Sequence, residues 1–165
     1  MAQFKNAHDS HAHSLKILNT LREYDTFLES LTVVADMGCG TGVLAILAHK
    51  MQADQIVAID FDEWAYSNAL DNMEKNDALS VAVIQGMAGD IPGPGYDIII
   101  ANINRNVLLS DIPVYAGFLN DRGTLLMSGF YEVDLDQITA ASENSGLHYV
   151  GHKSENNWVG VKFVK

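Results

Sequence analysis

Apolar runs of strand length alternate with amphipathic stretches through most of this chain. The run Tyr96–Ala101 is apolar at nearly every position, which is typical of a strand buried on both faces of a sheet. Residues 43–48 have the dense apolar composition of a buried helix start, and residues 63–75 have helical composition. Further strands are predicted at residues 33–37, 55–60 and 81–85. This order predicts parallel strands connected by helices.

The second half of the chain continues the pattern. Residues 107–119 are predicted to form a helix, and Pro113 near its middle is expected to kink it or break it early, because proline has no amide donor. A strand is predicted at residues 124–128. Residues 134–145 have helical spacing, and Gly146 is placed to end that helix.

The C-terminal part has strand periodicity instead. Residues 147–151 and 158–164 alternate between apolar and polar positions, with polar residues 154–157 between them, and they predict a hairpin. Strand-helix units followed by an antiparallel pair predict an α/β fold: a doubly wound, mostly parallel seven-stranded sheet with one antiparallel edge strand. We expect a single globular domain over residues 32–165.

The front of the chain differs from the rest. Residues 1–35 are predicted to be a leader and a covering helix, which is amphipathic and carries leucines. Three histidines, His8, His11 and His13, precede that helix. They lack an accompanying cysteine or acidic cluster, so a polar leader is a better interpretation than a metal site.

A glycine-rich turn supplies the main candidate chemistry. The first predicted strand runs into the sequence DMGCGTG, which contains Asp36, Gly38, Cys39, Gly40, Thr41 and Gly42. The third glycine comes one residue too early for the dinucleotide fingerprint, and Val43 stands at the position where that fingerprint has it. Alternating glycines let a ligand approach the main chain closely, although a structural turn can also carry them.

An acidic residue ends the second predicted strand. Asp60 lies 18 residues after Gly42, close to the spacing at which nucleotide-binding folds place a carboxylate on ribose hydroxyls. A carboxylate after a strand is also a common helix N-cap, and Asp62 is placed for that role. The glycine turn and the two acids, Asp36 and Asp60, together favour a nucleoside cofactor.

Composition narrows the function classes. The chain has 165 residues and no apolar stretch of membrane-spanning length, and we expect a soluble, cytoplasmic protein. Its single cysteine, Cys39, excludes an internal disulfide and a cysteine-based zinc site. The net charge of -11 disfavours nucleic acid and would attract a basic protein or an amine.

Several motifs in order resemble a known family. The G-x-G-x-G turn is similar to motif I of class I S-adenosylmethionine (SAM) methyltransferases, and an Asn after the fourth strand resembles the acceptor motif of amino-group methyltransferases. That Asn is Asn102, and its context, Ala-Asn-Ile-Asn-Arg-Asn, resembles the PrmA family, which methylates large-subunit ribosomal protein eleven. The resemblance runs from about Asp36 to the C-terminus through DMGCGTGVLAI, AIDFDEWAYSNALDN, YDIIIANINRNVLL, LLMSGF and NNWVGVKF.

The resemblance implies a Rossmann-like methyltransferase with SAM as cofactor, S-adenosylhomocysteine as product and a ribosomal or other basic protein as substrate. Asn102 would be catalytic by aligning the acceptor amine. The implied cofactor-binding residues are Asp36 and the glycine loop for the methionine part, Asp60 for the ribose, and Phe61, Met87 and Ala88 for the adenine. Met87 stands where relatives often have an acid, so we expect only apolar contact there.

Other interpretations stay open at this point. Met87 could be a core residue, Asn102 a simple turn residue, and residues 104–106 a helix cap rather than a substrate contact. We expect residues 1–35 to fall outside the family and to resemble the leading helix of another class I methyltransferase. We expect no counterpart of the family's separate recognition domain in this chain. A SAM-binding scaffold without turnover and a small-molecule methyltransferase are therefore alternatives. Trp158 is expected to pack on the edge strand.

Overall fold

The computed structural model describes residues 32–165. These residues form seven strands at the positions that hydrophobic patterning predicts. The predicted leader and its histidines lie outside the described residues. The strands are β1 (Val33–Met37), β2 (Gln55–Asp60), β3 (Ala82–Gln85), β4 (Tyr96–Asn102), β5 (Leu119–Tyr131), β6 (His148–Glu155) and β7 (Trp158–Val164).

Four α-helices and two short 3-10 helices connect the strands within the described residues. The α-helices are α1 (Val43–Lys50), α2 (Glu63–Lys75), α3 (Arg105–Phe118) and α4 (Leu135–Asn144). The 3-10 helices are Ala88–Asp90 and Glu132–Asp134. None of the helices in this part of the chain combines the length and the apolar character that a membrane crossing requires.

All seven strands belong to one sheet in the order β3-β2-β1-β4-β5-β7-β6. Neighbours from β3 to β5 pair in parallel, whereas β7 is antiparallel to both β5 and β6. The predicted doubly wound, mostly parallel sheet with an antiparallel edge is therefore confirmed, and the reversed strand lies one position inside the outermost strand. The hairpin turns at Asn156 and Asn157, where both φ angles are positive, as a type I′ turn requires.

Two cores cover the faces of the sheet, as expected for a parallel sheet between helices. Along β4, Ile99 and Ala101 join one core, and Ile98 and Ile100 join the other. The second core includes the buried face of α1. The central strand is thus buried on both faces, as its continuous apolar run predicts.

The helix after β4 differs from its prediction. It begins at Arg105 because the Asn104 side chain caps it, accepting hydrogen bonds from the amides of Asn106 and Val107 at 3.1 and 3.2 Å. It does not break at Pro113 but continues through that residue to Phe118. Burial of Ile112 and Tyr115 on either side of Pro113 holds this segment against the core.

Candidate functional site

A cavity of about 450 Å³ opens where the parallel strands β1, β2 and β4 end. In a sheet of this topology the chain leaves β1 and β4 in opposite directions, and ligands bind in the crevice that this creates. The wall from the strand ends consists of Met37, Gly38, Ile59, Asp60, Phe61, Gly86, Met87 and Ala88. The wall from the segment after β4 and from α3 consists of Ile103, Asn104, Asn106, Val107, Ser110, Asp111 and Tyr115.

The glycine loop forms the tight connection between β1 and α1. Gly38, Gly40 and Gly42 have φ angles of 63°, 55° and 74°, a region that side chains rarely adopt. Gly42 is also the N-cap residue of α1, where a Cβ would lie 2.6 Å from the Met73 methyl group. The loop therefore needs glycine for its own conformation. Gly38 is the loop residue that lines the cavity.

Asp60 holds the glycine loop against the end of β2. Its carboxylate accepts a hydrogen bond from the Gly40 amide at 2.9 Å and another from the Asp62 amide at 3.0 Å. Asp60 is buried yet lines the cavity. The predicted N-cap role falls to Asp62, which accepts from the Ala65 amide at 2.9 Å. Asp60 thus has no capping role, and its predicted contact with a ribose stays a prediction.

Asp36 lies behind the loop rather than on the cavity wall. Its carboxylate is 1% exposed and accepts a hydrogen bond from the Ala45 amide at 3.0 Å. Burial raises the pKa of Asp36 to about 7, with the nearby Asp60 charge adding to the rise and the Ala45 hydrogen bond opposing it. Asp36 can therefore act on a ligand only indirectly, through the first turn of α1 that it supports.

The remaining loop residues have structural surroundings. Cys39 is buried, and burial raises the pKa of its thiol, with Asp36 and Asp60 adding to the rise, so it is a poor nucleophile. The Thr41 carbonyl accepts a hydrogen bond from the Asn72 amide group at 2.9 Å. Neither residue lines the cavity, and their predicted contact with a cofactor stays a prediction.

Apolar side chains line the part of the cavity beyond Asp60. Phe61 and Met87 are 67% and 68% exposed, so Met87 is not the core residue that one interpretation made it. The Met87 amide donates to the Asp90 carboxylate at 2.8 Å, which orients the turn after β3. Ala88 is buried at the cavity wall. An aromatic ring and a thioether at the rim suit the flat face of a base.

The segment after β4 caps α3 and also lines the cavity. Asn104 caps α3. Asn104 and Asn106 both line the cavity. Arg105 points elsewhere: it forms an ion pair with Asp134 at 2.9 Å and donates to the Asn106 side-chain oxygen. Asn104 therefore belongs both to the helix cap and to the cavity wall.

Asn102 is the last residue of β4 and is half-buried. Its side chain makes no hydrogen bond to any of residues 32–165, in contrast to Asn104. The next residue, Ile103, lines the cavity and packs against Gly38. Asn102 itself does not line it, so its predicted catalytic role stays a prediction.

The cavity wall that α3 contributes was not predicted from the sequence. Val107, Asp111 and Tyr115 recur every four residues, which places them on one helix face, and all three line the cavity. That spacing is the signal that could have revealed them. Trp158 lies outside the cavity and packs on Tyr131 with ring centroids 4.3 Å apart. No group of three metal-ligating side chains forms within the described part of the chain.

The sheet order and the glycine turn beside a cavity at the strand ends define the class I SAM-dependent methyltransferase fold. The sequence profile described as "Ribosomal protein L11 methyltransferase (PrmA)" matches residues 7–165, and the chain belongs to this family. The expectation that residues 1–35 fall outside the family is therefore wrong for residues 7–35. The matched region begins well before the motifs that carried the resemblance.

Individual relatives agree with the family assignment. The chain is 48% identical over 130 residues to a ribosomal protein L11 methyltransferase of Bacteroides thetaiotaomicron, covering 78% of this chain and 46% of that protein. It is 41% identical to one of Phocaeicola vulgatus, covering 93% and 54%. The chain thus spans about half the length of these curated relatives.

Solved structures agree as well. A ribosomal protein L11 methylase from Lactobacillus delbrueckii subsp. bulgaricus has a TM-score of 0.84 at 27% identity, covering 92% of this chain and 78% of that one. A SAM-dependent methyltransferase from Aquifex aeolicus, at 19% identity, has a TM-score of 0.73 over 90% of this chain and 88% of its own. The second similarity shows the fold alone.

Proposed function

We propose that this chain is a SAM-dependent N-methyltransferase domain that transfers a methyl group to an amino group of a protein. Residues 32–165 would form the catalytic domain. The observation that carries the proposal is the position of Asn102: its partner-free side chain ends β4, directly before the segment that lines the cavity. The family assignment supports SAM as the cofactor.

The residues of the cavity fit such a cofactor. About 450 Å³ lies within the range of small-ligand pockets, and the walls combine an apolar slot with a few polar groups. Asp60 would accept hydrogen bonds from the ribose hydroxyls, and Phe61, Met87 and Ala88 would contact the base. The loop around Gly38 would hold the methionine part, and Asp36 would support the helix start that follows this loop. When bound, SAM supplies an electrophilic methyl group.

The chain's own contribution would be alignment of the acceptor. The Asn102 side-chain oxygen can accept a hydrogen bond from an amine and aim its lone pair toward the methyl carbon, which accelerates an in-line displacement. The amine must first be neutral. A free lysine has a pKa of about 10.4, so removal of water around the acceptor must favour the neutral form.

A basic protein is the acceptor class that the charge of the chain supports. The net charge of -11 attracts a cationic partner and repels nucleic acid. The names of the relatives point to a ribosomal protein, which would place the reaction in the cytoplasm. The chain spans only about half of those relatives. The proposal of a ribosomal protein as substrate therefore rests on similarity to that half of the relatives.

Transfer of a labelled methyl group to purified ribosomal proteins tests the proposal. Asn102→Ala should abolish transfer and leave S-adenosylhomocysteine binding within about twofold, because it removes an acceptor contact. The matched control is Asn144→Ala, an exposed asparagine at the end of α4, which should retain activity. A scaffold would be favoured if the wild-type protein bound S-adenosylhomocysteine but transferred no methyl group to any protein or small amine. Transfer only to small amines would favour a small-molecule enzyme.

A further inference from the structure

We propose that Asp111, on α3, recognises the 6-amino group of the adenine and makes the cavity selective for an adenine nucleoside. This inference rests on the proposed function, since it concerns the cofactor held at the same site. Asp111 lies two helical turns along α3 from Asn104 and lines the cavity with Val107 and Tyr115.

The Asp111 carboxylate has hydrogen-bonding capacity left over. Its Oδ2 accepts a long hydrogen bond from the Tyr115 hydroxyl at 3.4 Å. Among residues 32–165 it has no other hydrogen bond and no ion-pair partner; Arg105, a cation on the same helix, is paired with Asp134. The Oδ1 atom thus has no hydrogen-bond donor among the described residues, and Asp111 lines a largely apolar cavity. A donor on a bound ligand would form a charge-assisted hydrogen bond with this oxygen.

Tyr115 donates to one oxygen of that carboxylate. Tyr115 is 1% exposed, and burial raises the pKa of its hydroxyl, with the Asp111 charge adding to the rise. The hydroxyl therefore stays protonated and donates to Asp111. The ionised carboxylate can only accept hydrogen bonds, and its Oδ1 atom is available to a donor on a ligand.

The second carboxylate of the cavity serves a different part of the ligand. Both oxygens of Asp60 already accept amide hydrogens, from Gly40 and Asp62, at the strand end. Asp111 stands on the helical wall, with the apolar side chains of Phe61 and Met87 elsewhere in the same cavity. A flat base between such side chains can form a hydrogen bond with the Asp111 carboxylate only if its edge carries a donor. The exocyclic amino group of adenine has two N–H donors and no charge.

Calorimetric titration with two ligands tests this assignment. The first is S-adenosylhomocysteine, and the second is its analogue in which hydrogen replaces the 6-amino group. The wild-type protein should bind the first about tenfold more tightly or better, as expected for a hydrogen bond to a charged group. Asp111→Ala should reduce this ratio to about twofold or less, because no acceptor remains. Asp111→Asn keeps a neutral acceptor and should give an intermediate ratio.

Asp71→Ala is the matched control, because Asp71 lies on the exposed surface of α2 and does not line the cavity. The ratio of the two ligand affinities in this variant should equal that of the wild type. Equal binding of the two ligands by the wild-type protein would overturn the assignment even if a variant failed to fold. An unchanged ratio in Asp111→Ala would also overturn it. So would an increase in the KM for the acceptor without a change in the ratio, since Asp111 would then contact the acceptor amine. Absence of binding to both ligands would contradict the proposed function itself.

Discussion

Gly129 lies directly against the Ile103 peptide, so the end of β5 supports the segment that follows the proposed catalytic Asn102. A Cβ added to Gly129 would come within 2.7 Å of the Ile103 carbonyl carbon and 2.9 Å of its nitrogen. The φ angle of Gly129 is +96°, which side chains rarely adopt. Only glycine allows β5 to approach the Ile103 peptide so closely.

Gly129→Ala should therefore destabilise the protein by about 2 kcal/mol and displace the segment around Ile103. Urea denaturation measures the first effect and methyl transfer the second. Gly117→Ala is the control, because Gly117 lies in α3 with open space around a built Cβ and without a positive φ angle. That variant should be stabilised by about 0.5 kcal/mol. Equal effects of the two substitutions would contradict the predicted role of Gly129.

The cap of α3 should affect stability and ligand binding together. Asn104→Ala removes the acceptor of two amide hydrogen bonds and should cost about 1 kcal/mol in the free energy of unfolding. Asp62→Ala removes the cap of α2 at a similar cost, but the Asp62 side chain lies outside the cavity. Calorimetry should show weaker S-adenosylhomocysteine binding for Asn104→Ala alone. Equal affinities for the two variants would mean that Asn104 is only a cap.

Buried Asp36 should make stability fall as the pH rises. The pKa of its carboxyl group is about 7 in the folded state against 3.8 for the unperturbed group. Between about pH 4 and pH 7 the folded state therefore binds the additional proton, and stability decreases with pH in that window. Asp36→Asn removes this contribution and should gain stability relative to the wild type, by up to about 4 kcal/mol across the window.

Urea denaturation at pH 5 and pH 8 measures the change. Asp71→Asn, on the exposed surface of α2, should follow the wild-type pH profile. The prediction fails if the Asp36→Asn profile also runs parallel to that of the wild type.

Hydrophobic patterning predicts the parallel strands well, because burial on both faces leaves few alternatives for runs such as Tyr96–Ala101. The bounds of α2 also agree with prediction, since Asp62 caps it at the expected place. The start of α3 did not follow from patterning, because asparagine is common both at helix N-caps and in loops. The helix continues through Pro113 because tertiary packing outweighs the missing hydrogen bond.

The candidate site is predicted less completely than the fold. The glycine turn and Asp60 are visible as motifs, and both the turn, through Gly38, and Asp60 reach the cavity. Asp36 and Cys39 belong to the same motif but lie behind the cavity wall. Their positions could not be predicted, because local sequence does not tell which side chains of a strand and turn face a cavity. Asp111 was not predicted, because the rotation of α3 depends on its packing against the sheet.

Calorimetric titration with S-adenosylhomocysteine tests the central claim most directly, with wild-type protein, Asp60→Ala and the exposed control Asp136→Ala. We expect micromolar binding for the wild type and the control, and affinity at least about tenfold weaker for Asp60→Ala, because the ribose loses a charged acceptor. Thermal unfolding of each variant shows whether the fold is retained. Absence of wild-type binding, or equal affinity in Asp60→Ala, would contradict the assignment of this cavity as the cofactor site.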